Sequence, residues 1–169
     1  TLQDAFNSTD GIVILIGTFD ANNFSVTILD FASDNSDTRA LSMGSGTWTF
    51  SGTGNVWNTS VVTNLTVTPE TSTIVLTDTS STAKTFFGGG KTWYNLTITG
   101  DDVTITGNNT FNAIALNNTD EAEGTIVGTG STQTVTSFTT TASSGHPVLF
   151  SGVAGGGAET ITKAGGGTI

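Results

Sequence analysis

The chain has 169 residues, 4 Lys and Arg against 14 Asp and Glu, a formal net charge of −10 and no Cys. Such an acidic surface repels nucleic-acid phosphates, and no apolar run approaches the roughly 20 residues of a spanning helix, so neither nucleic acid nor membrane insertion is expected. Disulfides and thiolate metal sites are excluded outright.

The remaining composition is that of a β protein. There are 36 Thr and 16 Ser beside 22 Gly. Thr is stiff at χ1 and suits a pleated strand, while Gly and Asn supply the positive-φ corners of tight turns. The scarcity of Lys with a Thr/Ser/Asn/Gly surface suggests an extracellular or virion-surface location. All of residues 1–169 read as one all-β segment. The opening Thr1-Leu2-Gln3-Asp4, without Met, and the closing Gly167-Thr168-Ile169 suggest an excerpt of a longer chain.

In chain order, short apolar runs bounded by Gly, Ser, Asn and Asp predict strands at Ile12–Ile16, Phe24–Leu29, Arg39–Met43, Thr47–Phe50 and Asn64–Thr68. They continue at Thr73–Thr77, Lys84–Phe87, Thr92–Thr99, Asp102–Thr106 and Thr110–Leu116. The last four are Thr125–Val127, Gln133–Phe138, Pro147–Phe150 and Glu159–Lys163. Several alternate with period two, as in Phe24/Val26/Ile28, Trp48/Phe50 and Tyr94/Leu96/Ile98, which gives one core face and one Thr/Ser face.

Regular strand spacing leaves a solenoid or a β-sandwich open. Internal similarity favours the solenoid. Thr49-Phe50-Ser51-Gly52-Thr53-Gly54 with Trp57 recurs, 36 residues on, as Thr85-Phe86-Phe87-Gly88-Gly89-Gly90 with Trp93. Asn64-Leu65-Thr66-Val67-Thr68 recurs 31 residues on as Asn95-Leu96-Thr97-Ile98-Thr99. The expected fold is a right-handed parallel β-helix in which these blocks stack in register, with Phe50 and Phe86 pointing into one interior.

The stretches Ser33–Asn58 (SDNSDTRALSMGSGTWTFSGTGNVWN), Thr71–Ile98 (TSTIVLTDTSSTAKTFFGGGKTWYNLTI) and Thr160–Ile169 (TITKAGGGTI) resemble repetitive structural proteins of environmental phages, of the tail-fibre and virion-surface kind. The resemblance runs from about Thr18 to the end. It implies a Gly/Thr-rich β-repeat fold and a structural role, and it brings no catalytic residues. The run Ile12–Ile16 departs from it, and the chain stops where such proteins continue.

Catalytic candidates are few. His146 is the single histidine, sits before Pro147 in a Ser/Gly-rich stretch, and reads as a loop residue. Asp101-Asp102 are adjacent and read as a turn after Gly100, not as a carboxylate pair on one face. Asp30/Asp34/Asp37 and Asp120/Glu121/Glu123 lack the spacing of an EF-hand and read as solvated acidic loops. Gly88–Gly90, Gly155–Gly157 and Gly165–Gly167 lack the Lys-Ser/Thr of a phosphate loop and read as turns.

Trp48 and Tyr94 are in phase with core residues, and Trp57 and Trp93 read as a repeated packing position. Seven Asn-x-Ser/Thr sequons begin at Asn7, Asn23, Asn58, Asn64, Asn95, Asn108 and Asn117, a mild excess over the roughly four that chance gives in this composition, and glycosylation is not inferred from them. Catalytic, cofactor and metal residues are therefore expected to be none. The expected partners are other copies of the chain or neighbouring virion or filament proteins, with cell-surface glycans as a further contact. A bacterial or archaeal adhesin or filament subunit is the alternative, followed by a glycan-degrading β-helix.

Overall fold

The computed structural model describes residues 1–117, 125–128, 130–141, 149–152 and 160–165. The chain winds as a parallel β-solenoid of about 6 turns, with no helix among these residues. The first turn lays down β1 (Phe6–Asn7), β2 (Ile12–Val13) and β3 (Gly17–Asp20). The second gives β4 (Val26–Ile28), β5 (Phe31–Ala32) and β6 (Arg39–Ser42), and the third β7 (Thr47–Phe50), β8 (Gly54–Asn58) and β9 (Leu65–Thr68). Later turns supply β10 (Thr73–Leu76), β11 (Lys84–Phe87), β12 (Asn95–Ile98), β13 (Val103–Thr106) and β14 (Thr110–Leu116). They end with β15 (Thr125–Gly128), β16 (Thr132–Thr140), β17 (Leu149–Gly152) and β18 (Thr160–Lys163).

Three sheets run along the stack: β1-β4-β7-β10-β12-β14-β16-β18, β2-β5-β8-β11-β13-β15-β17, and β3-β6-β9. Every strand pair described is parallel, which rules out the sandwich of antiparallel hairpins. Turns vary from 18 residues, in the register Leu96↔Ile114, to 30, in Gly54↔Lys84, chiefly because the corners change length.

The two recurrent blocks are therefore not successive turns. Phe50 pairs with Ile28 and Leu76 in the first sheet, whereas Phe86 pairs with Trp57 and Ile105 in the second. Both rings do reach the same interior, each almost wholly buried. Likewise Leu65 lies in the third sheet and Leu96 in the first, so the second recurrence also joins different sides. A similar local sequence recurs because every side of a solenoid makes the same demand, apolar in and Thr out, and not because the blocks are stacked copies.

The core is a set of ladders. One runs Phe6, Val26, Trp48, Ile74, Leu96, Ile114, Phe138; another runs Ile12, Phe31, Trp57, Phe86, Ile105. The facing columns carry Thr27, Thr49, Val75, Thr97 and Ala115 outward. A register shift between β8 and β11 turns both Val56 and Trp57 inward, as a bulge does when it opposes two residues to one.

The third sheet ends at β9, but its side of the coil is kept. Trp93, Phe111 and Val135 fill it, and β14 and β16 pair on both sides of the corner, through Phe111↔Val135 and Ala113↔Ser137. Thr92 bridges Thr110 on the same side.

Ile12–Ile16 is not a five-residue strand. Only Ile12–Val13 pair, and Val13, Leu15 and Ile16 are exposed while Ile14 is buried and Ile12 packs half-buried against the core. The strands β1, β3, β5 and β8 arise where no strand was expected.

Candidate functional site

The expected aromatic residues collect at the centre of the stack. Trp48, Trp57 and Trp93 are each at most 1% exposed. Trp57 stacks between Phe31 and Phe86, at ring distances of 4.6 and 5.7 Å, and meets Trp93 edge-on at 5.0 Å. Trp48 donates its indole N–H to Met43 O at 3.1 Å, whereas the N–H groups of Trp57 and Trp93 have no acceptor among the described residues. These rings form packing and present no platform to a ligand.

Tyr94 does not share the parity of Leu96 and Ile98. It is only partly buried, at the corner before β12, where its carbonyl accepts the N–H groups of Asn112 and Ala113. Alternation breaks there because the chain turns between two sides.

The acidic residues are dispersed over the corners. Asp34 accepts Asn58 Nδ2 at 2.9 Å, and Asp30 sits over Gly11. No group of three or more His, Asp or Glu placed to hold a metal occurs among the described residues. Asp101 and Asp102 lie in the bend after Gly100, as expected, with Asp102 at φ 49°. Asp101 is not a surface residue, however; it is 1% exposed and its N–H donates to Asp78 O. Asp120, Glu121, Glu123, His146 and Gly155–Gly157 lie outside the described residues. Gly88–Gly90 form the expected turn, with positive φ at Gly89 and Gly90.

Three of the four cations are consumed by backbone carbonyls, which sequence patterning did not reveal. Arg39, 1% exposed, donates Nε to Asp37 O, Nη1 to Ser33 O and Oγ, and Nη2 to Val61 O and Thr63 O. It thereby ties two loops of adjacent turns. Lys84 is equally buried, donates to Ser80 O and pairs with Asp78 at 2.9 Å. Burial pushes the Asp78 pKa up, but hydrogen bonds from Ser80 and Lys84 outweigh it and hold the carboxyl below its ordinary value. Lys91 donates to Leu65 O.

A buried amide cluster does the same work later in the chain. Asn109 Nδ2 donates to Thr106 O, Gly107 O and Gln133 Oε1, and Gln133 Nε2 donates to Gly107 O and Ser131 Oγ. The open depression on the first sheet, lined by Asn7, Ser8, Thr9 and Thr27, holds hydroxyls and an amide but no titratable group.

Chemically, then, Arg39, Lys84 and Lys91 hold corners closed, and no nucleophile, base and orienting group converge among the described residues. No helix among these residues is long and apolar enough to cross a membrane. No protein-family model, curated protein or solved structure matches the chain.

Proposed function

We propose that the chain is a structural segment of a phage fibre, spike or virion-surface protein that acts through assembly and contacts host-surface glycans. One observation carries the reading. A parallel, in-register core runs through about 6 turns, while cations that could serve chemistry are spent on corner carbonyls. A solenoid of this kind is stiff, grows by adding turns, and offers its neighbours long Thr-lined faces. The resemblance of Ser33–Asn58 and Thr71–Ile98 to phage structural repeats points the same way.

The test is to separate virus particles from cell envelopes of one source on a density gradient and to seek peptides of this chain in each by mass spectrometry. Enrichment in particles is expected. Peptides confined to envelopes would replace the reading with a bacterial or archaeal surface adhesin. Release of reducing ends from a polysaccharide panel would instead establish a glycan-degrading enzyme.

A further inference from the structure

The outer face of the first sheet is neutral and unbroken. From β1 through β16 the register is kept, so its outward side chains stand in columns. The middle column climbs from Asn7 through Thr49, Val75 and Thr97 to Thr139, and the one before it from Thr47 to Ser137. A third column prolongs the ladder at Ser51, Thr77 and Thr99, whose N–H groups donate to Ile28 O, Phe50 O and Leu76 O. Only Thr, Ser, Asn, Ala and Val occupy the first two columns, in a chain of net charge −10. Lys163, in β18, pairs with Val135 and lies round the corner from them. The second sheet is interrupted by the shift between β8 and β11, and the third carries Asp20.

Polar groups on this face are already bonded within the chain. Thr77 Oγ1 donates to Phe50 O and Thr99 Oγ1 to Leu76 O. Asn95 Nδ2 donates to Thr73 Oγ1, and Asn95 Oδ1 accepts Asn112 Nδ2. Covering such groups costs little, because desolvation is expensive chiefly where a polar atom loses water and gains no bond. Val75 lies in the fourth of the seven strands from β1 to β16 and in the middle column, so the centre of the face is aliphatic. The carboxylates of Asp10, Asp30, Glu70 and Asp102 belong to the corners that flank it. Two chains of this charge pack most readily where no carboxylates oppose each other.

We infer that this face is the surface on which a second copy of the chain packs, sheet on sheet, about a two-fold axis near Val75; the inference deepens the assembly reading and rests on it. Seven strands about 4.8 Å apart and five residues of about 3.3 Å give a face of roughly 34 by 17 Å. A pair then covers about 1,100 Å², at the lower limit of specific interfaces. In a two-fold contact the same patch meets itself, so Val75 faces its own copy and Thr49 and Thr97 lie one turn to either side. The flanking carboxylates of the two copies repel, so the dimer is weak in dilute buffer and tightens as salt screens them. A sugar would find no indole to stack on here, since all three Trp are buried.

The chain has no Cys, so a single introduced cysteine reports the contact. Val75→Cys, Thr104→Cys and Thr66→Cys, each on the outer face of a different sheet, are made in the whole chain and treated with a short bismaleimide. A linker is needed because stacked sheets lie about 10 Å apart, beyond disulfide reach. The expected result is a crosslinked dimer from Val75→Cys alone, in a yield that rises with salt. Adding Thr49→Asp and Thr97→Asp to Val75→Cys should abolish the dimer while the thermal midpoint stays that of Val75→Cys. Equal crosslinking of Thr104→Cys or Thr66→Cys overturns the inference, as does a dimer that survives the two Asp changes. So does a Val75→Cys chain that sediments as a monomer at high salt. If that monomer is held by a dextran column and the Asp variant is not, the face belongs to a neutral glycan. None of these results bears on the virion reading, which particle fractionation decides.

Discussion

Trp57→Ala tests whether the aromatic centre holds the solenoid together. Trp57 is fully buried and touches five rings: Phe31, Trp48, Phe50, Phe86 and Trp93, at 4.6 to 6.1 Å. Those rings come from the second through fourth turns and their connections, so the residue couples neighbouring turns as well as filling space. Truncating a buried Trp costs about 3–5 kcal/mol through lost transfer energy and the cavity left behind. Aromatic pairs add about 0.5–1.5 kcal/mol each beyond area, which puts this site at the upper end, about 5 kcal/mol. With a urea m-value of about 2 kcal/mol/M, the midpoint should fall by roughly 2 M, read by Trp48 and Trp93 fluorescence and by circular dichroism. Trp57→Phe should be much milder. It keeps the stacking on Phe31 and Phe86 and removes an indole N–H that has no acceptor among the described residues. Trp48→Phe should cost about 1 kcal/mol more than Trp57→Phe, because it orphans Met43 O. If Trp57→Ala moved the midpoint no further than Thr49→Ala, a change on the outer face worth about 0.5 kcal/mol, the coupling argument would be wrong.

Arg39→Met should cost about 2–4 kcal/mol by equilibrium denaturation, since the carbonyls of Ser33, Val61 and Thr63 lose their donor; Arg39→Lys, with no planar fork, should recover little. Asp78 has its pKa lowered in the folded state, so its contribution is present at neutral pH and is lost as pH falls below about 4, through the folded value. Melting temperatures of the parent and Asp78→Asn should therefore differ at pH 7 and converge in acid. Gly100→Ala should destabilise by about 1–3 kcal/mol in a thermal melt, because its Cβ would lie 2.0 Å from Asp78 O. Glu70→Gly should be neutral or stabilising by up to about 1 kcal/mol, as it relieves a side chain held at φ 48°.

The all-β, stacked character of the chain was legible because Thr, Gly and period-two alternation are properties of each strand alone. Thr47–Phe50, Lys84–Phe87 and Thr110–Leu116 are strands with the expected bounds for that reason. The phase of the solenoid was not legible. Its period follows from corner lengths, and corners such as 77–83 and 59–64 carry no hydrophobic pattern to count. The missed strands are the ones in which neighbours override local preference. Phe31–Ala32 pairs because Ile12 and Trp57 lie on either side of Phe31, and Gly54–Asn58 needs a bulge that no alternation rule anticipates.

The polar interior was hidden for a related reason. Arg39, Lys84, Asp101, Asn109 and Gln133 would each be taken from sequence alone as solvent-facing, since charged and amide residues seldom leave water without partners. Arg39 and Gln133 reach main-chain carbonyls of a neighbouring turn, Val61 and Thr63 for the first and Gly107 for the second, while Lys84 and Asn109 also bond carbonyls of their own corners, Ser80 and Thr106, and backbone acceptors leave no trace in composition. The corners of a solenoid accumulate such carbonyls, because the ladders stop there while the chain stays close to the core. A buried guanidinium can satisfy several at once from one rigid fork, which a Lys or an amide does less completely. In a chain with so few cations, placing Arg39 and Lys84 at two different corners therefore uses charge as internal cement and leaves the Thr-lined faces neutral.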